Sequence, residues 1–210
     1  MIRVTTFRVV LIGLIVATPS LLSCQSQPSQ QQPAATSDRK GDCGIIYGDQ
    51  HSFIACAPTG WQLDNESMVK DGIYAAFYPI SSTFAEAMKN GTILYVSTMS
   101  GTSSDKLTVD EAMQRDAKET VSKSPETVVR ALPDLSAGKV TAKVQELFHQ
   151  GNFDAVAYVQ SPNVVVLFVI SSATEEGFKK SYPAFKELVR SYQYLTSDIH
   201  GAAIKRDGEK

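Results

Sequence analysis

The 210-residue chain has one tryptophan, three histidines and three cysteines, and its 20 basic and 22 acidic residues leave no surplus of either charge. That balance excludes the basic excess of a nucleic-acid binder and the lopsided charge of a disordered acidic chain. The histidines, His51, His149 and His200, stand apart in sequence, and the cysteines include no C-x-x-C spacing, so neither a metal-ligand cluster nor a redox pair is written locally. The phosphate-cradling G-x-x-x-x-G-K-[ST] and G-x-G-x-x-G patterns are missing, as is the G-x-S-x-G of a nucleophile elbow. What is present is a 43% hydrophobic composition that suits one globular domain with something short attached. An odd cysteine count in an exported chain gives at least one cysteine a task other than internal pairing.

Residues 1–23 read as an address. Arg3 and Arg8 make a positive start without an acidic residue, Val9 to Ala17 is an apolar run, and Thr18-Pro19-Ser20 follows. This is the layout of an export signal; a spanning helix needs about 20 apolar residues, and Pro19-Ser20 ends the run well before that. Leu21-Leu22-Ser23-Cys24 resembles the bacterial lipobox, with Leu22 departing from the smaller residue usual at its position. That resemblance implies a diacylglyceryl group on Cys24 and cleavage after Ser23. Two or three acyl chains hold firmly where one only hovers, since each buried methylene adds about 0.8 kcal/mol. Cleavage removes both arginines and leaves 18 basic against 22 acidic residues, so the acyl chains, not attraction to anionic lipid, would do the holding.

Gln25 to Asp42 contains no Val, Ile, Leu, Met or aromatic residue and is expected to be a disordered tether with a reach of roughly 20 to 25 Å. Cys43 and Cys56 then bracket two short β-prone runs, Ile45 to Tyr47 and Ser52 to Ala55, around Gly48-Asp49. A hairpin brings its ends together, and an exported compartment permits a disulfide between them, worth about 3 kcal/mol for a loop of this length.

Further along, Ile73 to Tyr78 reads as a strand ended by Pro79, Phe84 to Lys89 as one helical turn, and Thr92 to Ser100 as a strand. Thr108 to Lys123 is the clearest helix: Thr108 and Glu111 form a capping box, and Val109, Ala112, Met113, Ala117 and Val121 line one side. Val140 to Phe148, Phe153 to Gln160 and Val164 to Ser171 follow as a meander separated by Gly151-Asn152 and Pro162-Asn163. The run VVVLFVI has no polar residue, which predicts a strand covered on both faces. Glu175 to Tyr192 supplies a second helix with Phe178, Tyr182, Phe185, Leu188, Val189 and Tyr192 at helical spacing, and Pro183 is expected to kink or restart it near Ser181. The expected fold is α+β, an antiparallel sheet sandwiched between helices. The domain is placed at 43–197, after a leader at 1–23 and a tether at 24–42, and before a loose tail at 198–210.

Ala57-Pro58-Thr59-Gly60-Trp61, Asp64-Asn65, Ala76-Phe77-Tyr78-Pro79 and the helix segment Phe185 to Tyr192, in this order of elements, resemble the PsbP-like superfamily. That group holds the photosystem subunit PsbP, bacterial DcrB-type lipoproteins and the Ran-binding Mog proteins. The resemblance covers about residues 44 to 195 and implies an α/β/α sandwich in a mostly non-enzymatic accessory or binding protein. No residue here matches a manganese-related role of the photosystem member.

Function is therefore expected to be that of a lipid-anchored accessory or binding protein of the cell envelope, on the periplasmic face of the outer membrane. The candidate binding surface is Trp61, Asp64, Asn65 and Tyr78, presented to an envelope protein partner. No catalytic residue, metal, cofactor or nucleic acid is assigned. Two alternatives stay open: a small-molecule or metal-binding module, suggested by the aromatic-rich strand and helix, and a hydrolase with an unrecognised site.

Overall fold

The computed structural model describes residues 42–48, 51–101, 106–149 and 151–198. The chain divides into two units, Met1–Thr36 and Ser37–Lys210, and the described residues belong to the second. The expectations for the leader, Cys24, most of the tether, His200 and nearly all of the tail lie outside them.

Two antiparallel sheets and three helices make up the domain. β1 (Cys43–Gly48), β2 (His51–Cys56) and β10 (Gln193–Thr196) form a three-stranded sheet in the order β1-β2-β10. The seven-stranded sheet contains β3 (Trp61–Asp64), β4 (Ala75–Pro79), β5 (Thr92–Met99), β6 (Val128–Ala137), β7 (Val140–His149), β8 (Asn152–Gln160) and β9 (Val165–Ser172). Its order is β3-β4-β5-β9-β8-β7-β6, which puts β9 in the middle. The helices are α1 (Phe84–Asn90), α2 (Val109–Lys123) and α3 (Glu175–Arg190).

Alternation along β9 explains the layering. Val166, Phe168 and Ile170 join one apolar cluster with Phe178, Phe185, Leu188 and Val189 of α3 and with Phe53 and Ala55 of β2. Val165, Leu167 and Val169 join the other, with Ala112 of α2 and, packed against it, Val109, Met113 and Ala117. Successive side chains of a strand point to opposite faces, so a strand without polar residues is one with a helix on each side. The expected sandwich is present, with the small sheet closing the α3 face as an additional piece.

Local chemistry accounts for the helix ends. Thr108 and Glu111 make the expected capping box, and Thr83 with Glu86 makes a second one at α1, which extends to seven residues and not one turn. α3 runs unbroken from Glu175 to Arg190 through Pro183, and does not restart near Ser181. Pro183 is exposed, so its ring stands on the solvent side of the helix and does not disturb the packed face. The turn after β6 clamps the other end of α3: Gly138, at φ +57°, donates its N–H to the Arg190 carbonyl at 3.1 Å. A Cβ there would sit 2.1 Å from the Tyr192 carbonyl oxygen, so the turn needs glycine twice over.

β3, β6 and β10 come in addition to the predicted strands. β6 holds Pro133-Asp134 at an irregularity between Leu132 and Leu135, where its ladder to β7 shifts register. Proline is tolerated there because β6 is an edge strand and a bulge frees the amide position.

Candidate functional site

The sequence-predicted surface is divided by its own strand. β3 pairs with β4 so that Trp61 lies opposite Pro79, Gln62 opposite Tyr78 and Asp64 opposite Ala76. Trp61 and Leu63, two apart, pack against the α3-side cluster, while Asp64 and Tyr78 meet on the other face. The Asp64 carboxylate accepts from the Ser67 hydroxyl at 2.6 Å, the Ser67 amide at 2.9 Å and the Glu66 amide at 3.0 Å, and the Tyr78 hydroxyl donates at 3.5 Å. Burial alone would raise its carboxyl, but these donors outweigh it and hold the group below the ordinary carboxylate range. Asp64 thus shapes the loop that follows, and of the four residues Asn65 is the exposed one, the other three being half-buried.

The densest chemistry lies beneath α2. Asp116 sits at i+7 on the stripe that begins at Val109, a place where the helix period calls for an apolar residue. It accepts a hydrogen bond from the Tyr158 hydroxyl, which in turn accepts from the Gln145 side-chain amide at 2.5 Å; that amide also donates to the Met113 carbonyl of α2 at 3.3 Å. Burial pushes the Asp116 carboxyl up, with the Tyr158 donor and Lys123 opposing and Glu119 adding to the rise. Burial, then the charge and hydrogen bond of Asp116, push the Tyr158 hydroxyl up as well.

One row along the same face, Asp154 of β8 stands opposite Ser171 of β9 and Leu147 of β7. Asn152 donates to its Oδ2 at 2.5 Å, whereas its Oδ1 and the His149 Nδ1 are buried without a hydrogen-bond partner. Burial lifts the Asp154 carboxyl to about 6; Ser171, Asn152 and the neighbouring His149 restrain the rise and Asp116 adds to it. Burial and the charges of Asp154 and Asp116 also raise the Tyr95 hydroxyl, on β5. The cluster thus gathers two raised carboxyls and two raised tyrosine hydroxyls on one face. Its signal was available in the sequence: an aspartate at an inward step of the alternating NFDAVAYVQ strand, and another on the apolar stripe of α2.

Along the exposed side of α2, Lys106, Arg115 and Lys118 line an open groove of about 460 Å³ with Gly101, Leu107, Glu111 and Gln114. Glu111 is engaged by Thr108 in the capping box, and Arg115 donates to the Ser100 carbonyl at 3.2 Å. Among the described residues its lining carries three basic side chains against one acidic.

Cys43 and Cys56 are paired across β1 and β2 and joined by a disulfide, with Cα atoms 3.9 Å apart. His51 is buried against the rings of Phe53 and Tyr74, far in sequence and setting from His149 at the β7 end. Among the described residues no three of His, Cys, Asp and Glu converge as a metal-ligand group. None of their helices is long and apolar enough to cross a membrane.

No protein-family model matches the chain, and no curated protein matches its sequence. Among solved structures, the chain is similar to cyanobacterial PsbP (CyanoP) from Synechocystis sp. PCC 6803, at 13% identity over 79% of this chain and 99% of that one, with a TM-score of 0.49. It is similar to the Ran-binding protein Mog1p of Saccharomyces cerevisiae, at 13% identity over 75% and 96%, TM-score 0.47. It is also similar to LpqN of Mycobacterium tuberculosis, a protein involved in cell envelope biogenesis, at 12% identity over 73% and 91%, TM-score 0.48.

Proposed function

We propose that this is an exported, lipid-anchored accessory protein of the cell envelope, whose domain binds a partner and carries out no chemistry of its own. The observation that carries the reading is the run from Val9 to Cys24: a short apolar stretch, a small residue and a cysteine, followed by 18 residues with nothing to bury and then by a disulfide-closed domain. An acylated cysteine at the start of such a tether keeps a domain at a surface while leaving it free to turn toward a partner. Exposed Asn65, beside the Asp64-organised loop, is the contact point on the predicted surface.

Growth with a labelled fatty acid tests the anchor: the wild type takes up label and fractionates with membranes, and Cys24→Ser does neither. A photo-crosslinking residue at Asn65 tests the partner. One discrete adduct in intact cells supports the reading, and a ladder no different from that of a site on β6 overturns it.

The basic groove over α2 favours a second reading, a module for a small anionic molecule, recognised by Lys106, Arg115 and Lys118. Lys106→Glu with Lys118→Glu would abolish such binding in a thermal-shift screen of carboxylate and phosphate compounds while leaving the Asn65 adduct intact.

A further inference from the structure

The edge strand of the three-stranded sheet, β1, exposes two large apolar side chains, Ile45 and Tyr47. Register places Ile45 opposite Ile54 and Tyr47 opposite Ser52, so Cys43, Ile45, Tyr47, Ser52, Ile54 and Cys56 share one face, opposite the buried Ile46, Phe53 and Ala55; Ser52, beside β10, is itself buried, so the open part of the face is its β1 side. Ile45 is 47% exposed and Tyr47 52%, and the two stand two residues apart on one strand, so they form a contiguous apolar pair. β1 and β2 contribute no charged side chain to this face, and Gln193 of β10 extends it beside Ile54.

We propose that this face is a lipid-docking surface that seats the domain on the bilayer holding its own anchor; the proposal rests on the lipid-anchor reading of Cys24. The chain outside the structure selects this occupant. The tether from Gln25 runs into Asp42, and the next residue opens β1, the strand that carries the face. A tether of 18 residues, with a reach of roughly 20 to 25 Å, keeps that strand within one domain diameter of the membrane. Docking is then intramolecular, at effective concentrations on the order of mM, so a patch too small to bind membranes by itself suffices. Tyrosine and isoleucine suit the boundary between headgroups and acyl chains, where a ring buries its body and keeps its hydroxyl wet. The disulfide between Cys43 and Cys56 pins the sheet at the tether's point of entry, so the face arrives at the membrane already formed.

Hydroxyl-radical footprinting of the full-length mature protein on vesicles of phosphatidylethanolamine and phosphatidylglycerol tests this, with intact mass reporting the acyl groups on Cys24. Ile45 and Tyr47 should be oxidised several-fold more slowly than in a Cys24→Ser chain in solution, while the exposed Met88 and Val128 react equally in both. Ile45→Glu with Tyr47→Glu should stay on the vesicles through its acyl chains but lose the protection of Ile54. Equal oxidation in an acylated protein overturns docking and leaves the anchor standing. A mature chain with unmodified Cys24 overturns the anchor and the docking that depends on it. Protection in the Cys24→Ser chain that grows with protein concentration assigns the face to a second copy and overturns the proposal.

Discussion

The two faces of the seven-stranded sheet are built from the same strands and differ in almost everything else. Toward α3, β8 presents Ala155, Ala157 and Val159, small side chains that leave room for Phe178, Phe185 and the ring of Phe168. Toward α2, the same strand presents Asp154, Val156 and Tyr158, and the helix answers with Asp116 among its alanines and methionine. One face spends its area on close-packed rings, and the other holds a hydrogen-bonded chain with two carboxyls raised by burial. A strand with period two can serve both purposes at once. The comparison teaches that close-packed rings and buried carboxyls are segregated by face along one strand.

The largest effect should come from the α3 face. Phe185 is fully buried among the rings and branched side chains of that cluster, so Phe185→Ala should cost about 3 to 5 kcal/mol, read as a fall in the urea midpoint with an unchanged slope. Next comes the small sheet that closes this face. Cys43→Ser with Cys56→Ser opens a loop with a sequence separation of 13 and should cost about 3 kcal/mol. Equal losses from Val156→Ala on the α2 side would erase the contrast between the faces.

Much of this architecture was legible because periodicity states it directly. The Thr108 capping box, the meander from Val140 to Ser171, the double coverage of β9 and the Cys43–Cys56 bracket all follow from spacing, and all are present. β6 was hidden because Pro133-Asp134 looks like a turn, and only its place at a sheet edge makes a bulge of it. Pro183 misled in the opposite direction, since sequence does not say that its ring faces water. The candidate surface was harder still. Trp61 and Asp64 are three apart on a strand, which puts them on opposite faces once β3 is known to be a strand. The cluster beneath α2 depends on residues from α2, β5, β7, β8 and β9, and such convergence is a property of strand order, not of any local run.

On the α2 face, Tyr158→Phe should cost about 1 to 3 kcal/mol, because it removes the donor that supports the Asp116 carboxylate in a buried place. Gln145 keeps the Met113 carbonyl as a partner, so the loss centres on Asp116. Part of it should vanish in acid, where a protonated Asp116 no longer needs that donor. A loss of equal size at every pH would mean that the hydroxyl matters for packing alone.

The smallest effect carries the sharpest sign. Asp154 has a carboxyl raised from 3.8 to about 6 in the folded protein, so over that interval the native state binds more protons than the unfolded chain. Stability must then fall as the pH rises from about 4 to about 6, and level off above the folded value. Asp64 and the helix-capping Glu86 and Glu111 are lowered and push the other way, with their contributions lost in acid as pH falls through their folded values. The total curve therefore mixes signs, and the difference between wild type and Asp154→Asn isolates the one group. Asparagine can still accept from Asn152 while one carboxylate oxygen becomes an amide NH2, so the variant should gain stability at pH 7, by less than the roughly 3 kcal/mol of the full shift, and little near pH 4. Urea midpoints of both proteins across this range measure it. A constant offset between the two curves would show that Asp154 does not change its proton affinity on folding, and the α2 face would then be no more responsive to pH than the face beneath α3.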